Sequence, residues 1–172
     1  ATQLVDELLA QRDLVAAESG ALTVTTTAVS PASLAEDVRA LYARHEVARG
    51  KGIVIDVSAK APPLQTDLVL LRRVLGNLVK NALEASAPGD RVTLRHASSP
   101  EHETFTVHNP SVMSQAARVQ VFQRGFSTRG AGRGLGTYGA RLITERYLGG
   151  TLRFTSHAAA GTVFALELPT GA

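Results

Sequence analysis

The sequence predicts an α+β domain in which one mixed β-sheet is layered with helices. Three observations lead there. Strand-like segments come mostly as adjacent pairs, and helices do not alternate with them one for one, which disfavours a doubly wound parallel sheet. The stretch from Asp67 to Ser86 carries apolar residues at a steady three-four spacing, the signature of a long amphipathic helix. Finally, 172 residues with 44% hydrophobic content suffice for one domain with a sizeable core.

Taken in order, Leu4, Leu8 and Val15, with Val5 and Leu9 beside them, form a helical apolar stripe that ends near Gly20. Ala21 to Val29 is β-branched and predicts a strand. Ser30 and Pro31 start a helix, the hydroxyl as cap and the proline at the first helical position. Its expected buried face is Leu34, Val38, Leu41 and Tyr42, and Gly50 to Gly52 ends it. Ile53 to Val57 is a strand followed by a Pro62–Pro63 turn. Thr66 or Asp67 caps the long helix, whose apolar set is Leu68, Leu71, Leu75, Leu78, Ala82 and Ala85, and Pro88–Gly89–Asp90 breaks it. Arg91 to His96 and Thr104 to Val107 make a hairpin. A glycine- and arginine-rich segment leads to a helix from about Gly136 to Leu148, closed by Gly149 and Gly150. Strands Thr151 to Thr155 and Thr162 to Leu168 finish the chain.

Composition narrows the function classes. There is no cysteine, so disulfides and Cys-ligated metal sites are excluded. No apolar run approaches the roughly 20 residues of a membrane helix, and the amino end lacks a signal-peptide pattern. The expected location is therefore cytoplasmic, with any membrane attachment only through a parent protein. Beginning at Ala1, the chain is expected to be a piece of a longer one.

The net charge of +3 is unevenly spread. Thr104 to Thr144 holds no Asp or Glu but contains Arg118, Arg124, Arg129, Arg133 and Arg141, so that stretch is +5 and the remainder −2. Gly125, Gly130, Gly132, Gly134 and Gly136 fall there too. Such a segment suits a polyanion, the alternative being a solvated loop.

Opposite the leucines of the long helix, Arg73, Asn77, Lys80, Asn81 and Glu84 share one side. Asn is a mediocre helix former, so two at i, i+4 in mid-helix ask for a reason beyond a solvated face. The Asn81 amide oxygen is a hard neutral ligand suited to Mg²⁺, which keeps mostly water and phosphate oxygens around itself. Lys80 can supply a phosphate charge.

These residues resemble a known family. NLVKNALEAS, Asn77 to Ser86, resembles the N box of the GHKL ATP-binding superfamily, and within it the histidine kinases. VFQRGFSTRG, Val121 to Gly130, resembles their F box and ATP lid. GRGLG, Gly132 to Gly136, resembles the G2 box, and GTVFALELP, Gly161 to Pro169, the closing strand. The motifs stand in the family's order and cover about residues 30 to 170. The resemblance implies a two-layer α/β sandwich (the Bergerat ATP-binding fold): a mostly antiparallel sheet covered on one face by helices, with a mobile ATP lid. It implies ATP and Mg²⁺ as ligands. Asn77, Lys80 and Asn81 would carry the chemistry, with Asn81 on the metal. ATP would be bound by these three and by Asn109, Phe122, Phe126, Arg129, Gly132, Arg133, Gly134, Leu135, Gly136, Thr137 and Thr162. Backbone N–H groups of Gly134, Leu135 and Gly136, at a helix start, would face phosphate oxygens. Arg129 and Arg133 would neutralise the triphosphate, and Phe122 and Phe126 would fasten the lid. The sequence departs from the family in VHNPSVM, Val107 to Met113, where Asn109 stands in place of an Asp that accepts a hydrogen bond from the adenine amino group. The Asn carbonyl can accept the same bond.

Hydrolytic members of the superfamily carry a Glu one helical turn before the Mg-binding Asn. This chain has Asn77 there, which is no base at neutral pH, so phosphoryl transfer to a protein nucleophile is expected. In histidine kinases the nucleophile is an imidazole, followed by Glu or Asp, on a separate dimerisation domain. His45–Glu46 imitates the pair but is read as a core or boundary histidine, and His102–Glu103 lies in a hairpin. Residues 1–20 are expected to be the C-terminal part of the dimerisation helix or a linker, and 21–172 the ATP-binding domain. Expected partners are the dimerisation and phosphoacceptor domain, as a homodimer in the full-length protein, and a downstream response regulator. A serine kinase of the anti-sigma-factor type and a degenerate nucleotide-binding module remain alternatives. A nucleic-acid binder is disfavoured by the 5% aromatic content. GLGTYG, Gly134 to Gly139, fits a dinucleotide fingerprint literally, but a loop precedes it and no acidic residue lies between 146 and 166.

Overall fold

The computed structural model describes residues 2–124 and 135–170. The chain opens with α1 (Thr2–Glu18), β1 (Thr27–Val29) and α2 (Pro31–Ala43). Then come β2 (Gly52–Asp56), β3 (Leu64–Thr66), α3 (Leu68–Ala85) and the hairpin of β4 (Arg91–Ser98) and β5 (His102–Asn109). It closes with α4 (Gln115–Gln120), α5 (Leu135–Arg146), β6 (Thr151–His157) and β7 (Gly161–Pro169).

Five strands form one sheet in the order β2-β4-β5-β7-β6. Only β2 and β4 run parallel; the other neighbours are antiparallel. Alternation along the strands sends Val92, Leu94, Phe105, Val107, Leu152, Phe164, Leu166 and Leu168 into the core. There they meet the buried faces of α2, α3 and α5. The other sheet face carries ion pairs such as Asp56–Arg95, at 2.7 Å, and Arg153–Glu167. The fold is the expected mixed α+β sheet covered on one face by helices.

Local chemistry sets the helix starts. Ser30 caps α2, its side chain accepting from the Ser33 N–H. Asp67 caps α3 with Oδ1, which accepts from the Leu70 N–H at 2.9 Å, while Oδ2 accepts from the Thr25 N–H at 2.8 Å. That second bond explains where the expected strand over 21–29 stops short. Its partner β3 is only three residues long, so the ladder begins at Thr27, and the preceding backbone is tied to Asp67 instead. Ala85 lies exposed at the end of α3, and Leu41 is 56% exposed, so neither belongs to the core as expected. The short elements β3 and α4 go beyond the sequence-based expectation. Ser114 caps α4 by accepting from the Ala117 N–H.

α1 forms as expected, but its stripe of Leu4, Val5, Leu8, Leu9 and Val15 is exposed. Leu14 and Ala17 are the residues it buries, against α5. The Tyr147 hydroxyl donates to the Ala17 carbonyl at 2.7 Å, and Arg73 pairs with Asp13 at 3.2 Å. Arg124 pairs with Glu18 at 2.7 Å and holds that carboxyl below its usual range.

Candidate functional site

α3 is buried along Leu71, Leu75, Leu78 and Ala82 and half-exposed along Asn77, Lys80, Asn81 and Glu84. The polar strip therefore lies where its spacing put it. Arg73, at the strip's start, is turned to α1 through Asp13, and its Nη1 is buried without a partner among the described residues.

The first turn of α5 sits against Asn81. A β-carbon built on Gly136 would lie 3.5 Å from Asn81 Nδ2 and 3.8 Å from Oδ1. The first N–H groups of α5, from Leu135, Gly136 and Thr137, have no intrahelical acceptor, and the helix dipole adds positive potential there. The Asn81 amide thus lies close to the anion-attracting end of a helix. Among the described residues no group of three His, Cys, Asp or Glu could hold a metal. A cation at Asn81 would take its remaining ligands from water and an anionic partner, the pattern Mg²⁺ prefers.

Thr137 is buried, and its hydroxyl donates to the Val121 carbonyl at 2.7 Å. That bond ties α5 to the end of α4, which leaves the backbone N–H as the group Thr137 can offer a ligand. Phe122 packs edge-on against Phe154 and Phe164, with Arg141 4.8 Å above its ring. Of the five arginines in the acid-free stretch, three are in the described residues and are engaged within the protein. Arg118 donates to the Ser156 carbonyl, Arg124 to Glu18, and Arg141 to Glu145. The polyanion reading of the stretch therefore concentrates on Arg129 and Arg133. These two, with Phe126, Gly132, Gly134 and the expected lid, lie outside the described residues.

Asn109 ends β5 opposite Thr162, the second residue of β7. Both are 3% exposed. Thr162 Oγ1 donates to the Ser111 carbonyl at 2.7 Å, so in its 2.9 Å bond with Ser156 the Ser156 hydroxyl is the donor. Ser156 Oγ in turn accepts from the Met113 N–H. Ser111 Oγ donates to the Ala85 carbonyl at the end of α3, at 2.6 Å. This relay fixes the 110–113 segment between α3, β6 and β7, and it spends the Thr162 proton inside the protein. Sequence reasoning missed Ser111 and Ser156, which carry no local signal of their role. Asn109 Nδ2 stands apart: it is buried with no hydrogen-bond partner among the described residues, a state that costs about 1–3 kcal/mol.

Three of the five histidines are engaged within the protein. His45 lies just past α2 as a boundary residue. Its Nδ1 accepts from the Val47 N–H, and its Nε2 is 3.3 Å from Asp6. His96, which has no acidic neighbour in sequence, meets Glu103 across the hairpin at 2.6 Å, but its side chain is only 3% exposed. His108 Nε2 lies 2.8 Å from the Ala160 carbonyl.

Comparison with known proteins places the chain. The model of the histidine kinase-, DNA gyrase B- and HSP90-like ATPases matches residues 66–172, from the end of β3 through α3, β5, α5 and β7. The chain belongs to that family. It is 31% identical over 178 residues to the sensor histidine kinase Hik2 of Thermosynechococcus vestitus, covering 96% of this chain and 46% of Hik2. Among solved structures, full-length ShkA in complex with AMPPNP superposes with a TM-score of 0.82 at 22% identity, over 99% of this chain and 36% of ShkA. Histidine kinase ThkA in complex with the response regulator TrrA gives 0.76 at 20% identity, over 98% of this chain and 49% of ThkA. At these identities the structures share the fold. The chain spans less than half the length of the curated relatives it matches. No helix among the described residues is long and apolar enough to cross a membrane.

Proposed function

We propose that this member of the histidine kinase-like ATPases is the catalytic domain of a two-component sensor kinase. It binds Mg·ATP between α3, the start of α5 and the Asn109 end of the sheet. It then transfers the γ-phosphoryl group to a histidine on a separate dimerisation domain, of which residues 1–20 would be the trailing helix or linker. The closeness of Gly136 to the Asn81 amide, such that a β-carbon built on the glycine would lie 3.5 Å from Nδ2, carries the reading, because it brings a Mg-type ligand near an anion-binding helix terminus.

Asn81 would hold the cation, Lys80 would face phosphate, and Asn109 would accept from the adenine amino group. Bound Mg²⁺ would neutralise charge on the β- and γ-phosphates. Arg129 and Arg133 would add positive charge to the triphosphate. Asn77 has no group that takes a proton from water at neutral pH, which supports transfer to a protein nucleophile over hydrolysis. In that transfer an imidazole nitrogen bonds to the γ-phosphorus as the bond to the β–γ bridging oxygen breaks, and ADP leaves. The burial of His96 and the committed nitrogens of His45 support a nucleophile outside this chain. A response regulator would then take the phosphoryl group onward, in the cytoplasm.

Calorimetric titration with ATP and ADP, with and without Mg²⁺, tests the site. Binding that strengthens with Mg²⁺ in the wild type and loses that gain in Asn81→Ala is expected. Label from γ-labelled ATP should reach an added histidine-bearing dimerisation domain and not this chain alone. Acid-labile, base-stable self-labelling of the isolated chain would overturn the assignment of the nucleophile, and binding without any transfer would leave a regulatory nucleotide-binding module.

A further inference from the structure

Three carboxylates of α1 each meet a cation on a different part of the domain. Asp6 lies 3.3 Å from His45, past α2; Asp13 lies 3.2 Å from Arg73, in α3; and Glu18 lies 2.7 Å from Arg124, past α4. Tyr138, in the first turn of α5, also hydrogen-bonds the Glu18 carboxylate. Among the described residues of α1 only Leu14 and Ala17 are buried, while Leu4, Val5, Leu8, Leu9 and Val15 stay exposed. The helix is therefore held to the domain chiefly by polar contacts. Ion pairs between partly exposed groups are individually weak and screened by salt, so α1 can detach while uncovering little of the core.

Two of these cations flank the proposed nucleotide site. Arg73 stands one helical turn before Asn77, on the strip of α3 that carries Lys80 and Asn81. Arg124 follows Val121, whose carbonyl accepts from the Thr137 hydroxyl in the first turn of α5. We propose that docked α1 is an autoinhibitory strap: Asp13 and Glu18 hold Arg73 and Arg124 away from the phosphate end of the site, so that docking of α1 and binding of a Mg-bound nucleoside triphosphate oppose each other. This rests on the nucleotide reading of the same site. The opposition comes from shared charge. An arginine paired with a carboxylate has fewer free N–H donors and little net charge to offer a phosphate, whereas a released one supplies both. Detaching α1 also carries two negative charges away from the place a polyanion would occupy. The coupling is reciprocal, so bound nucleotide loosens α1 by the same factor by which release of α1 tightens nucleotide binding.

The test is calorimetric titration with ATP in excess Mg²⁺ at low ionic strength. The wild type is compared with a variant carrying Asp13→Asn and Glu18→Gln, and the same pair of changes is made in a background carrying Arg73→Gln and Arg124→Gln. Removing the two carboxylates is expected to tighten ATP binding about fivefold, a gain that shrinks as salt is added. In the background without the two arginines the gain should be absent. Hydrogen exchange reads the reciprocal effect: the α1 amides of the wild type should exchange faster when Mg·ATP saturates the site. Unchanged or weaker ATP binding in the folded Asp13→Asn, Glu18→Gln protein overturns the proposal. So does a gain that persists without the arginines, or an α1 that ATP protects further from exchange. If the arginine background does not fold, the first comparison and the exchange of α1 decide together. Absence of ATP binding by the wild type and by every variant would instead remove the nucleotide reading itself.

Discussion

Gly161 lies directly against the Asn109 backbone: a β-carbon at position 161 would overlap the Asn109 carbonyl oxygen and come within 2.9 Å of Pro110 Cα. Its φ of 73° is in the left-handed region, so a side chain there is strained even before the overlap. The turn between β6 and β7 thus clamps the end of β5 at the residue proposed to meet the base. Gly161→Ala is expected to destabilise the fold by about 2–4 kcal/mol through strain and overpacking together. Nucleotide affinity should fall even where the variant remains folded, because Asn109 has to shift. Urea unfolding followed by ATP titration on the folded fraction measures both. Wild-type stability and affinity in the alanine variant would show that the turn can relax without moving Asn109.

Burial drives the second expectation. Tyr42 packs over Gly76 of α3, with the nearest approach of a built β-carbon to the phenol oxygen at 3.6 Å. Burial, with Asp6 and Glu84 nearby, raises its pKa from 10.0 to about 12. The neutral phenol is the folded form, so its contribution to stability is complete below the unfolded pKa and is lost as pH rises toward 12. Ultraviolet titration should show one tyrosine ionising late, together with loss of structure, and that late step should vanish in Tyr42→Phe. A Tyr42 signal that titrates near 10 in the folded protein would contradict the packing.

Much of this was legible in the sequence wherever the signal is local. The Asp67 cap, the leucine spacing of α3 and the Ser30–Pro31 start depend on residues within a turn of one another, so the helices and the polar strip of Asn77, Lys80 and Asn81 could be read directly. Leu41 departs from the expectation because periodicity gives a helix face but not how far its neighbours extend; near the end of α2 it stays exposed. The strand expected over 21–29 failed for a related reason. β-branching supplies the propensity, but a strand needs a partner, and β3 offers three residues. The site residues that escaped, Ser111 and Ser156, act through partners distant in the chain. So does Glu103, seven residues from His96 in the chain, which the cross-strand register of the hairpin brings to that histidine. Asn109 and Thr162 stand out by resemblance alone, and only the structure distinguishes the committed hydroxyl of Thr162 from the Asn109 Nδ2, which has no partner among the described residues.

Gly136 allows the fold and the site to be separated in a single variant. Its φ is not in the left-handed region, and an added β-carbon would meet Asn81 only at ordinary contact distance. Gly136→Ala should therefore leave the protein as stable or more stable, by about 0.4–1 kcal/mol, since alanine restricts the unfolded chain and suits a helix. The new methyl would nevertheless fill the gap between the Asn81 amide and the first turn of α5, where the cation and phosphates are proposed to sit. Mg·ATP affinity is expected to drop about tenfold, equivalent to about 1.4 kcal/mol. Thermal melting and calorimetry on the same preparation read the two effects independently. A parallel loss of stability and affinity would make Gly136 a packing residue of α5, whereas unchanged affinity would move the phosphates away from the gap between Asn81 and Gly136.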